Sequence, residues 1–160
     1  MALPDPSEIT LDRLTPEWKI HQLKRGHRFS SDDLLTAWMA TEEVPAPANQ
    51  LDLGAGIGTV GLSCLYRQPA TTRLVMVEAQ EVSHALAKKT VAYNNLTSRV
   101  ELRLGDMRDP KSVPERNYFE LVTGSPPYIP VGKGVISPHP QRAACRIELR
   151  GSIIDYAKVA

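Results

Sequence analysis

Gln50-Leu51-Asp52-Leu53-Gly54-Ala55-Gly56-Ile57-Gly58-Thr59 decides the fold of this chain. An apolar strand over 50–55 runs into alternating glycines, and a helical pattern over 57–67 starts directly after them. Glycines at such a turn let the backbone reverse tightly and approach a ligand without a Cβ in the way. The same alternation continues downstream. Residues 73–79 form an apolar strand rich in β-formers and 81–95 a helix. Residues 100–104 form a strand closed by Gly105-Asp106, and 118–123 a strand closed by Gly124. Strands alternating with helices predict an α/β domain with a parallel, doubly wound sheet. Counting from strand 50–55, the expected order is 3-2-1-4.

Ahead of this core, residues 1–7 read as a loose, Pro-rich tail. Residues 8–25 alternate apolar and polar around Thr15-Pro16-Glu17, which predicts a small β-hairpin. Ser30 or Ser31 then caps a helix with Asp32 and Asp33 in its first turn, where the helix dipole favours acids. Leu34, Leu35, Trp38 and Met39 give that helix one apolar stripe. Pro45-Ala46-Pro47 ends it. The loop 129–142 is rich in glycine and proline, and 145–160 resumes a helical pattern up to the last residue. The whole is one domain over 1–160, with the core over 50–160.

Bulk properties narrow the function classes. The chain has 160 residues, 42% hydrophobic and 23% charged, as expected of a single globular domain. A net charge of +1 gives no global signal for a nucleic-acid partner. Locally, Arg13, Lys19, Lys24, Arg25 and Arg28 cluster beside His21 and His27, either as a solvated basic face or as a phosphate-contacting patch. Cys64 and Cys145 are far apart, as in a cytoplasmic protein with reduced thiols. The histidines share no metal-ligand spacing, so no metal is expected. Neither a signal peptide nor a membrane span is expected.

The chemistry-bearing residues sit at strand ends. Glu78 follows Gly58 at the spacing of about 20 residues at which a carboxylate accepts hydrogen bonds from ribose hydroxyls. The bland alternative for Glu78 is an acid at a helix start. Thr59 breaks the dinucleotide pattern Gly-x-Gly-x-x-Gly, which argues against a pyrophosphate. Asp52 ahead of the glycines suits a cationic ligand. Asp106 overlooks the same crevice, either as an acceptor for an exocyclic amine or as a cap for the segment after it. In Ser125-Pro126-Pro127-Tyr128 the prolines fix the backbone before any substrate arrives. The Ser125 hydroxyl and the Pro126 carbonyl are then acceptors that orient the hydrogens of a planar amine, and Tyr128 offers an aromatic face to a flipped base.

Together, the glycine turn, Glu78, Asp106 and the Pro-Pro-Tyr loop resemble a Rossmann-like class I methyltransferase with an Asn/Asp-Pro-Pro-Tyr motif. Gln22-Leu23-Lys24-Arg25-Gly26-His27-Arg28-Phe29-Ser30-Ser31-Asp32 resembles a segment of the bacterial tRNA(Val) adenine-N6 methyltransferase family, as does Arg146-x-Glu148 followed by 151–156. The resemblance covers roughly 8–160. It implies an S-adenosyl-L-methionine cofactor held by Asp52, Gly54, Ala55, Gly56, Gly58, Glu78 and Asp106, with Phe29, Ser30 and Asp32 near its methionine end. It implies a catalytic loop of Ser125, Pro126, Pro127 and Tyr128, and RNA, specifically tRNA, as substrate.

Two departures stand out. Ser125 occupies the position of the family's Asn or Asp. The given sequence also ends where the resemblance implies a fifth strand and a terminal hairpin, which predicts self-association through an uncovered strand 118–123, or instability of the chain alone. Two other functions fit the residues: methylation of a protein glutamine amide, which a Pro-Pro-Tyr loop also serves, and a non-catalytic cofactor- or partner-binding module.

Overall fold

The structure, a computed structural model, describes residues 4–134, 137–149 and 151–160. The first three positions of the expected tail, two positions of the 129–142 loop and one of the 145–160 segment lie outside the described residues. A short 3₁₀ turn at Pro6–Glu8 precedes strands β1 (Ile9–Arg13) and β2 (Lys19–Leu23). Helix α1 (Ser31–Glu43), strand β3 (Asn49–Leu53), helix α2 (Thr59–Arg67), strand β4 (Arg73–Glu78), helix α3 (Glu81–Tyr93) and strand β5 (Val100–Leu104) follow. Strand β6 (Leu121–Gly124) and helices α4 (Pro140–Arg146) and α5 (Ile153–Val159) complete the order.

The sheet runs β5-β4-β3-β6, and every pair is parallel. In core numbering this is the expected order 3-2-1-4, with β3 central. Leu51 pairs with Val75 on one side and Val122 on the other. The period-2 alternation of β4 serves both faces. Leu74 and Met76 join one core with Ile57, Leu62 and Leu65 of the turn and α2, Leu86 and Val91 of α3, and Ile20 and Leu23 of the hairpin. Val75 and Val77 face the other way, toward Leu51, Leu53, Met107 and Val113, with Tyr156 and Val159 of α5 packed on them.

The hairpin is the expected antiparallel pair, Ile9 opposite Leu23. Its β2 strand is fastened to α3 by side chains. The Lys19 N–H donates to Asn94 Oδ1 at 3.0 Å, the Asn94 amide donates back to the Lys19 carbonyl at 2.7 Å, and the His21 N–H donates to Thr90 Oγ1 at 2.9 Å. These bonds satisfy backbone groups of an edge strand that no further described strand covers.

Three expectations need correction. The apolar stripe of α1 does not face the core: Leu35, Trp38 and Met39 are 50–61% exposed. The buried face is Asp33, Ala37 and Thr41. Small side chains there let α1 approach α2 closely, with Ala37 against Val60 and Cys64. Second, the last core strand is Leu121–Gly124 rather than 118–123. Tyr118 and Phe119 instead pack edge-to-face on each other, centroids 5.1 Å apart. Third, 145–160 is not one helix. Ile147 leaves α4 to form a parallel bridge with Ile129, and Gly151 takes φ +132°. Ser152 and Asp155 then restart the chain as α5, with the Ser152 N–H donating to Asp155 Oδ2 at 2.8 Å.

Candidate active site

The strand order reverses at β3, between β4 and β6, and the crevice beyond the carboxyl ends of these strands is where ligands bind in open α/β sheets. Gly54, Gly56 and Gly58 occupy this turn with φ of +58°, +59° and +95°. The Ala55 N–H reaches over to the Val77 carbonyl at 3.0 Å, and the Gly58 N–H closes the turn on the Ala55 carbonyl at 2.8 Å. A Cβ added to Gly56 would meet nothing within 4 Å, so the turn presents bare backbone to open space there.

Glu78 ends β4 and governs the shape of the turn. One carboxylate oxygen accepts the Gly56 N–H at 2.8 Å and the other the Gln80 N–H at 2.6 Å. Asp52 lies beneath the glycines, buried. Its carboxylate accepts the Gly61 N–H of α2 at 3.0 Å and the Thr123 hydroxyl of β6 at 2.8 Å. Burial outweighs these bonds and pushes its pKa up to about 6. Asp106, past β5, accepts the Arg108 N–H at 2.9 Å and forms an ion pair with the Arg108 guanidinium.

The Ser125–Tyr128 loop leaves β6 on the opposite side of the same crevice. Ser125 is exposed, Pro127 is buried as an anchor, and the Tyr128 ring is 72% exposed. From the N-terminal side, the Ser30 N–H donates to Asp33 Oδ2 at 3.0 Å, which caps α1 and holds Ser30 and Asp32 at the crevice.

One cavity of about 480 Å³ collects these parts, within the usual range for small-molecule sites. Its wall includes Asp52, Gly54, Ala55, Gly56, Glu78, Asp106, Ser30, Asp32 and all of Ser125, Pro126, Pro127 and Tyr128. Two expected residues are not on that wall. Gly58 serves as the N-cap of α2. Phe29 packs against the core, with its N–H donating to Gln22 Oε1 at 2.9 Å.

The structure adds residues that sequence reasoning missed: Met107, Arg142, Cys145, Arg146 and Tyr156. Tyr156 lies across the ends of β3 and β6. A Cβ on Gly54 would collide with its hydroxyl, and a Cβ on Gly124 would come within 2.8 Å of its ring. Burial and the nearby carboxylates of Glu78, Asp52 and Asp106 push the phenol pKa up, so the hydroxyl keeps its proton. Arg146 and Tyr156 lie in the two segments, Arg146-x-Glu148 and 151–156, that resemble the family, but that resemblance gave neither residue a place in the site. Burial likewise pushes the Cys145 thiol up to about 12, so it is no nucleophile.

The model of the methyltransferase small domain matches residues 29–137. The chain belongs to the methyltransferase small domain family. The match takes in every glycine of the turn, Glu78, Asp106 and the Pro-Pro-Tyr loop. Among curated relatives, the release factor glutamine methyltransferase of Cereibacter sphaeroides is 35% identical over 82 residues, 51% of this chain and 28% of the relative. The tRNA1(Val) (adenine(37)-N6)-methyltransferase of Vibrio parahaemolyticus is 29% identical over 113 residues, 71% of this chain and 44% of the relative. The chain thus spans less than half the length of the curated relatives it matches. Among solved structures, P. horikoshii TYW2 in complex with MeSAdo superposes with a TM-score of 0.58 at 17% identity, over 72% of this chain and 41% of that one. This likeness shows the Rossmann-like methyltransferase fold. Among the described residues, no helix is long and apolar enough to cross a membrane, and no cluster of potential ligands suits a metal ion.

Proposed function

We propose that this chain is the catalytic part of an S-adenosyl-L-methionine-dependent N-methyltransferase that acts on adenine N6 in RNA, with tRNA in the cytoplasm as its target. The observation that carries this reading is that one cavity holds both the glycine turn with Glu78 and the Ser125–Tyr128 loop. The residues fit the cofactor. The backbone of Gly56 is open to a ligand, Glu78 stands at the strand end where ribose hydroxyls donate, and the acids of the floor suit a cation.

When bound, the cofactor supplies a methyl group made electrophilic by a sulfonium. Gly54, Ala55 and Gly56 would bring bare backbone against it, Glu78 would accept from its ribose, and Asp106 would face its adenine. Ser30 and Asp32 would lie toward its methionine end. Across the cavity, the Ser125 hydroxyl and the Pro126 carbonyl would accept the hydrogens of the target amine and turn its lone pair toward the methyl. Tyr128 would stack on the target base. Such a site acts chiefly by holding two partners in line. No strong general base is needed, because the amine proton leaves to water after the N–C bond has formed.

A second reading keeps the residues and changes the target to a glutamine amide in a protein, favoured by the 35% identity to a release factor glutamine methyltransferase. Transfer of a tritiated methyl group to tRNA and to a glutamine-bearing protein, assayed in parallel, separates the two, and no transfer to either supports a non-catalytic module. The cofactor site has its own test in Glu78→Gln. The amide NH₂ cannot accept a backbone N–H or a ribose hydroxyl, so Kd for the cofactor should rise roughly 10- to 100-fold, the worth of charge-assisted hydrogen bonds at about 1.5–3 kcal/mol. Unchanged affinity by calorimetry would remove Glu78 from the site.

A further inference from the structure

We propose that Lys24 and Arg25, on the loop after β2, and Arg142 and Arg146, on α4, form one phosphate-binding rim for a polynucleotide beside the Pro-Pro-Tyr loop. This deepens the RNA reading above and rests on it.

The four cations come from distant parts of the chain and line one cavity, the one that Ser125 and Tyr128 also line. All four are exposed. Arg142 and Arg146 are one helical turn apart, so they project from the same face of α4. Among the described residues, none of the four makes an ion pair with a described carboxylate. Arg28, Arg67, Arg103 and Arg108 differ in this, being paired with Asp12, Glu42, Glu115 and Asp106. With a net charge of only +1, the chain has no general excess of cations, so the rim is a local feature.

The rim is held together by Gln141, which is buried. Its Oε1 accepts the His27 N–H at 2.8 Å and its Nε2 donates to Ser83 Oγ at 3.1 Å. One side chain therefore ties α4 to the 24–28 loop and both to α3. Gly26 is part of this joint, because a Cβ there would strike Gln141 Oε1. His27 reports the same convergence: burial lowers its pKa first, and the charges of Arg142 and Arg146 lower it further against the opposing pull of Asp33.

The chemistry favours a polynucleotide over an acidic peptide. Exposed cations beside an exposed aromatic face are the combination that tracks a phosphate backbone while a base stacks. Tyr128 supplies that face at the cavity mouth, and its 72% exposure leaves it open to a stacked base. A peptide carboxylate would use the cations but leave the ring unused.

The test measures anisotropy of a fluorescein-labelled RNA stem-loop across a potassium chloride series, together with calorimetry of the cofactor. Each phosphate contact adds roughly 0.7–0.9 to the slope of log K against log salt. Arg142→Gln with Arg146→Gln should therefore reduce the slope by roughly 1.4–1.8 and weaken RNA binding on the order of tenfold at low salt. Lys88→Gln with Lys89→Gln removes two exposed charges from α3 outside the cavity and should leave the slope as it was. Equal slopes for wild type and the arginine double variant would overturn the rim. So would equal losses in both double variants. Wild-type protein that binds an acidic glutamine-bearing peptide in place of the RNA would overturn the polynucleotide assignment while leaving methyl transfer intact. Failure of the wild type to bind the cofactor would overturn the methyltransferase reading itself, and the rim with it.

Discussion

Asp52 and Thr123 face each other across the β3–β6 pair, and the Thr123 hydroxyl donates to Asp52 Oδ1 at 2.8 Å with both side chains buried. The second carboxylate oxygen takes the first-turn Gly61 N–H of α2 at 3.0 Å. One side chain thus joins the strand before the glycine turn, the helix after it and the strand that carries the Pro-Pro-Tyr loop. The close approach of α2 depends on Gly61, where a Cβ would come within 2.8 Å of Asp52 Oδ2.

This arrangement has a pH signature. Folded Asp52 holds its proton up to about pH 6, whereas its ordinary pKa is 3.8. Between these values the folded state binds more protons than the unfolded one. The contribution of Asp52 to stability is therefore greatest below the unfolded value, falls as pH rises through about 6, and ends lower by roughly 3 kcal/mol. Asp52→Asn keeps the shape and removes the titration, with Oδ1 toward Gly61 and the amide toward Thr123. In urea melts, the variant should gain on wild type by about 1–3 kcal/mol between pH 4.5 and 7.5. A constant offset between the two proteins across that range would show that Asp52 does not titrate in this way.

Gly54 and Tyr156 make a second coupled pair. Gly54→Ala meets two separate penalties: a left-handed φ of +58° and a collision with the Tyr156 hydroxyl and ring. The backbone part costs about 1–2 kcal/mol for a residue with a Cβ. Tyr156→Ala removes the collision but not the backbone strain. A double-mutant cycle by thermal unfolding should therefore show strong coupling, with Gly54→Ala still destabilising by about 1–2 kcal/mol in the Tyr156→Ala background. Additive losses would mean that the ring yields freely.

The same contrast explains what was legible in the sequence. Strand–helix alternation, the turn glycines and Glu78 are local signals, and local signals gave the sheet order and most of the cavity floor. The orientation of α1 was not legible, because Leu34, Leu35, Trp38 and Met39 outscore Ala37 and Thr41 on hydropathy. The small residues won because close helix packing depends on size as well as polarity. The placement of Tyr156, Arg142 and Gln141 at the site was also hidden, even though Tyr156 lies in a segment that resembles the family. Each acts on residues far away in sequence, and nothing in its immediate neighbours reports that contact.

β6 makes a prediction about association. Its inner edge pairs with β3, and among the described strands none pairs with its outer edge. Phe119 and Val122 pack, as do Tyr156 and Val159, against the core cluster around Leu51 and Val77, but side chains on a face do not satisfy edge backbone groups. The 160-residue chain should therefore self-associate at high concentration. Replacing Val122, half-buried in this strand, with lysine should weaken that association, because an edge charge opposes strand pairing. Light scattering that gives a monomer mass for wild type at every concentration would end this idea.

Ser125 gives the most direct test of the chemistry loop. It follows Gly124 at the end of β6, and Pro126 restricts its backbone to extended conformations before any substrate binds. The family motif it resembles carries Asn or Asp there, whose carbonyl or carboxylate oxygen reaches one bond further than a hydroxyl and accepts only. A serine hydroxyl can also donate, so it holds the hydrogens of a target amine less firmly. Ser125→Asn should raise the single-turnover rate of methyl transfer about tenfold, the equivalent of about 1.4 kcal/mol. Ser125→Ala should lower it, and under the proposed role, in which Ser125 contacts the target amine and not the cofactor, cofactor Kd should stay unchanged in both. If both variants transfer methyl groups at the wild-type rate, the Ser125 side chain does not orient the amine.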